Sequence, residues 1–121
     1  MSTELPPQIQ NQLAQLQQLQ QQAQALSVQK TQLELALSEA KQTLEELDKL
    51  DSNALIFKSV GEVLIKSSKE LVTAELTEKQ ETYNVRLKSL ERQEERVQTR
   101  FQQLQQQLKK ALGEAGELQG A

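Results

Sequence analysis

Apolar residues recur along most of this chain at alternating steps of three and four. Starting from Ile9, the positions are Gln12, Leu16, Leu19, Ala23, Leu26, Lys30, Leu33, Leu37, Ala40, Leu44 and Leu47. Ten of these twelve are apolar, and the intervening residues are mostly Gln, Glu, Lys and Ser. This spacing puts one narrow apolar seam on an α-helix, the signature of a coiled coil. Pro6 and Pro7 suit the start of that helix, where a missing N–H costs nothing. Asp48, Asp51, Ser52 and Asn53 end it, because their side chains compete for backbone hydrogen bonds. A second seam follows through Leu76, Gln80, Tyr83, Leu87, Leu90, Glu94, Val97, Phe101, Leu104, Leu108 and Ala111, nine of the eleven apolar. Thr77 followed by Gln80 offers a capping box near its start, although the pattern extends upstream. Gly113, Gly116 and Gly120 then loosen the tail.

Between the seams lies "NALIFKSVGEVLIKSS", Asn53 to Ser68, where the period changes from helical to alternating. Two short runs of β-formers flank Val60 and Gly61, which are placed at the turn of a hairpin. Leu55 and Phe57 point to one face and Ile56 to the other; Val63 and Ile65 alternate with Leu64. Such a hairpin is apolar on both faces and has unprotected edges, and two strands alone are marginal in water. Leu55, Ile56, Phe57, Val63, Leu64 and Ile65 are therefore expected to be covered by other subunits. The fold class expected is mainly α: an antiparallel two-helix coiled coil with one central β-hairpin that assembles into an inter-subunit β-barrel. The expected organisation is a single domain over 1–121. Helix 1 covers about 7–50, the hairpin 54–68, helix 2 about 70–112, and 113–121 form a flexible tail. Each seam has one charged break, Lys30 and Glu94, read as a register device.

Composition narrows the function. Aromatics are 2% and hydrophobic residues 36% of 121 residues, too few to fill a globular core of this length. The formal net charge of −3 and the lack of a basic run argue against nucleic acid as a partner. There is no Cys and no His, which removes thiolate chemistry, zinc–thiolate sites and imidazole catalysis. No Gly-rich phosphate loop is present. No cofactor and no metal are expected, and the chain is not expected to be an enzyme. With no signal-peptide pattern and no apolar run longer than Ala54 to Phe57, the expectation is a soluble cytoplasmic protein without a membrane partner.

Three stretches carry a resemblance to a known family: "QNQLAQLQQLQQQAQALSVQK", "FKSVGEVLIKSS" and "LKSLERQEERV". A Gln-rich helix, one hairpin with a Ser-x-Gly turn and then "LERQEERV", in this order, resemble the β class of prefoldin subunits in its archaeal form. The resemblance implies a co-chaperone hexamer of two α-class and four β-class subunits, with hairpins forming a double β-barrel platform. It implies coiled-coil tips that hold unfolded client proteins and pass them to a group II chaperonin without ATP. The α class carries two hairpins per chain, and the middle segment here has room for one.

A helical hairpin gathers both chain ends at one tip. Leu5, Ile9, Leu13, Leu108, Leu112 and Leu118 are the client-binding candidates there, while Leu16 and Leu104 are read as ordinary core. Leu13 and Leu112 lie off the seam, where exposed apolar area is available to an unfolded chain. Each contact is weak, so several tips must act together. The alternative reading is a structural coiled-coil scaffold or tether, oligomerised through the hairpin and without client binding.

Overall fold

The computed structural model describes residues 5–120, with side chains described as far as Glu114. Four elements follow in order: α1 (Pro7–Asp48), β1 (Ile56–Val60), β2 (Val63–Ser67) and α2 (Lys69–Gly120). This is the mainly helical fold with one central hairpin that the two periodicities predict. The chain divides into two compact units, Met1–Gln29 with Leu90–Ala121, and Lys30–Ser89. A two-helix seam has no central core to which every layer refers, so its contacts cluster locally.

The burial of the helices follows the seam. Every α2 seam residue from Leu76 to Ala111 is buried or half-buried, and so is every α1 seam residue except Ala23. Lys30 and Glu94, the two charged breaks, are both half-buried within their own units. Val28, Leu35 and Val85 fall off the seam and are exposed.

The helix ends obey local chemistry. Pro7 is the first residue of α1, and the Gln10 N–H donates to the Pro6 carbonyl at 3.0 Å. The Gln10 side-chain amide also reaches the Leu5 carbonyl at 2.8 Å. At the far end the helix tightens, with Lys49 and Leu50 donating to Glu46 and Leu47 at 3.3 and 3.1 Å. Such three-residue bonds commonly close a last turn. The α2 helix begins at Lys69 with Ser68 as its cap: the Ser68 hydroxyl oxygen accepts the Leu71 N–H at 3.2 Å. Thr77 lies inside this helix, its hydroxyl donating to the Thr73 carbonyl at 2.8 Å, and so caps nothing.

Two expectations shift. The strands pair in antiparallel register from Val60↔Val63 to Ile56↔Ser67, so the turn residues are Gly61 and Glu62, not Val60 and Gly61. Gly61 has φ +60, and among the described residues no non-glycine has positive φ. A two-residue turn with Gly first is the II′ type, whose twist matches the strands; a β-branched Val does not fit a left-handed position. Helix α2 also runs through Gly113 to Gly120, well past the expected stop near Leu112. Glycine weakens a helix interior by about 1 kcal/mol relative to Ala but does not by itself end one.

Candidate functional site

The hairpin belongs to the unit Lys30–Ser89, and its register defines its faces. Residues directly opposite share a face. Ile56, Lys58, Val60, Val63, Ile65 and Ser67 therefore make one face, and Phe57, Ser59, Leu64 and Lys66 the other, with Leu55 in step just before β1. Lys58 Nζ lies 2.7 Å from Glu75 Oε2, which ties the first face to α2. A second link lies at the base, where Lys69 Nζ donates to the carbonyls of Leu50 at 2.7 Å and Asp48 at 3.4 Å. Helix α1 has no basic residue in its last turn. The Lys69 ammonium supplies that charge to the negative end of its dipole.

These links leave most of the apolar hairpin in solvent. Leu55 and Leu64 are both 68% exposed, and Phe57, Val60, Val63 and Ile65 are also exposed. Ile56 alone among the expected interface residues is half-buried. Exposed apolar patches with free strand edges are the kind of surface that other chains commonly cover.

The other unit holds the expected client residues, and the structure sorts them. Ile9 is 3% and Leu108 9% exposed, so Ile9 is a core side chain and Leu108 shows only an edge, at the floor of an open groove. Both sit on the seam, the face that the periodicity assigns to helix packing. Leu5, Leu13 and Leu112 are exposed. The Leu118 side chain lies outside the described residues. Leu16 from α1 and Leu108 and Leu112 from α2 line one open groove, edged by Gln102, Gln105, Gln106 and Lys109. Further along, Leu19 and Ala23 line a second groove with Val97 and Phe101. Gln12 sits on the seam beside Leu13, its Oε1 shielded from solvent and without a hydrogen-bond partner. An unsatisfied carbonyl of this kind costs about 1–3 kcal/mol. Gln12 was legible as a polar break in the seam; that its oxygen is orphaned depends on packing.

Among the described residues, no cluster of His, Cys, Asp and Glu could hold a metal ion, and no helix is long and apolar enough to cross a membrane.

A family model described as "Prefoldin subunit" matches residues 10–115. The "Prefoldin subunit beta" of Methanosarcina acetivorans is 56% identical over 113 residues, covering 93% of this chain and 97% of that one. That of Methanococcoides burtonii is 54% identical over 117 residues, covering 97% and 100%. Among solved structures, the crystal structure of the prefoldin beta subunit from Thermococcus strain KS-1 superposes with a TM-score of 0.82. It is 41% identical and covers 92% of this chain and 97% of that one. The chain belongs to the prefoldin subunit family, in its β class.

Proposed function

We propose that this chain is a holdase subunit that grips non-native polypeptides through the chain-terminal end of the unit Met1–Gln29 with Leu90–Ala121, without nucleotide. One observation carries the reading: Leu5, Leu13 and Leu112 are exposed in the unit whose open groove Leu16, Leu108 and Leu112 line. Apolar area in a shallow groove binds by about 25 cal/mol per Å² with no demand on sequence. The surrounding Gln side chains keep the surface wet and offer donors and acceptors to an unfolded backbone. The orphaned Gln12 oxygen makes this turn of the seam easy to open, which exposes further apolar surface to a client.

The exposed hairpin is the assembly element in this proposal. Its strands pair with those of neighbouring subunits in a hexamer of two α-class and four β-class chains, forming the shared β-barrel. Several grooves then face one client, so weak contacts combine through effective concentration. The client passes to a group II chaperonin.

The test is suppression of aggregation of a chemically denatured protein by the assembled hexamer. The double variant Leu13→Ser, Leu112→Ser is expected to assemble normally and to lose most of its holding capacity. Full holding by that variant would sink the client site. Absence of holding by the unaltered hexamer would leave a structural scaffold.

A further inference from the structure

Two exposed apolar side chains, Leu50 and Leu71, flank the hairpin in sequence, and one of them, Leu71, stands where a helix cap favours a polar group. Leu71 is the third residue of α2, and its N–H is the one that the Ser68 hydroxyl caps. At that position Glu or Gln would reach back to the cap residue's own N–H and complete a capping box. A leucine that is 61% exposed stands there instead. Leu50 lies two residues beyond the end of α1, among freed carbonyls, and is likewise exposed. Its own carbonyl accepts from Lys69 Nζ at 2.7 Å, which anchors it to the first residue of α2, two positions before Leu71. Strand β2 ends at Ser67, just ahead of this point. Departures from local rules of this kind concentrate at functional surfaces.

We propose that Leu50 and Leu71 form a helical shoulder to the subunit interface, covered by the hairpin of a neighbouring prefoldin subunit. This rests on the reading that the hairpin joins subunits. Continuity with that surface selects the occupant. Exposed Leu55 and Leu64 lie in the segment that Leu50 and Leu71 bracket, and the Lys69 bond holds the two ends of that segment together. A strand docking on the hairpin therefore meets the shoulder at its base. Leu35 is the comparison. It is 60% exposed, but it lies in the interior of α1 and breaks no capping rule.

The experiment co-assembles the full chain with an α-class prefoldin subunit and measures subunit dissociation by sedimentation velocity. Four variants are compared: Leu71→Gln, Leu50→Gln, Leu35→Gln and Leu64→Gln. Leu71→Gln is expected to weaken assembly about tenfold, equivalent to about 1.4 kcal/mol. The isolated chain should keep or raise its Tm, because Gln completes the cap. Leu50→Gln should weaken assembly in the same direction, and Leu35→Gln should leave it unchanged. The inference is overturned if Leu71→Gln and Leu50→Gln assemble normally while Leu64→Gln does not. It is also overturned if Leu71→Gln lowers the Tm of the isolated chain, or if it spares assembly and reduces aggregation suppression. Normal assembly of Leu64→Gln would instead remove the hairpin reading itself, and the shoulder with it.

Discussion

Lys58 on β1 and Glu75 on α2, 17 residues apart in sequence, meet at 2.7 Å with each side chain nearly half exposed. The bond spans from strand to helix and gives the hairpin a fixed side toward α2. At this exposure an ion pair contributes about 0.2–1 kcal/mol. In a double-mutant cycle with Lys58→Met and Glu75→Gln, the coupling read from thermal unfolding should fall in that range. It should shrink further in about 1 M salt, where screening is nearly complete. A coupling of several kcal/mol would mean that the pair is desolvated, contrary to its exposure.

Lys69 joins the two helix ends by a different route, with its ammonium on the Leu50 and Asp48 carbonyls. A cation at a helix C-terminus contributes about 0.3–1 kcal/mol, and up to about 2 when partly buried. Lys69→Met keeps the stem and removes the charge. It is expected to lower the stability of the isolated chain by about 1 kcal/mol, read from urea unfolding at unchanged slope. Lys69→Arg should recover part of the loss.

Gly61 and Gly113 should respond to alanine in opposite directions. No atom lies within 4 Å of a Cβ built at either position, so sterics do not separate them. Backbone conformation does. Gly61 sits at φ +60, where an L side chain costs about 1–2 kcal/mol. Gly113 lies within α2, where alanine gains about 1 kcal/mol. Gly61→Ala should lower the Tm and Gly113→Ala should raise it, both by differential scanning calorimetry.

Stability and client holding should also separate along the seam. Leu104 is almost fully buried and Leu13 is exposed. Leu104→Ala is expected to cost about 2–4 kcal/mol. Leu13→Ser should cost under about 0.5 kcal/mol and still reduce aggregation suppression. Gln12→Leu is the converse case. It removes the orphaned oxygen, so the Tm should rise while holding falls, because this turn then opens less readily.

Much of this was legible in sequence because it depends on one periodicity at a time. The steps of three and four placed nearly every buried helix residue; Ala23 is the exposed exception on the first seam, although Ala40 on the same seam is buried. The switch to alternation placed the hairpin. Boundaries were harder, since they depend on competing local rules. The turn moved by one residue because only Gly61 fits a left-handed position. Gly113 looked like a stop but did not outweigh the helix around it. Ser68 followed by Lys69 and Glu70 carried a cap signal in plain sight, a hydroxyl just before an acidic first turn. The Lys69 bond to Leu50 carried none, since it depends on two helix ends meeting. Among the client candidates, seam membership separates buried from exposed: Ile9 and Leu108 belong to it and are buried, whereas Leu13 and Leu112, already placed off it by their spacing, remain outside.

Leaving Leu55, Phe57, Leu64 and Ile65 bare makes gene dosage a structural matter. Each copy produced in excess of its partners is a free template for strand addition, ready to pair with whatever edge it meets. On the proposed assembly, production of this chain in excess of its companion subunits is expected to appear as insoluble protein.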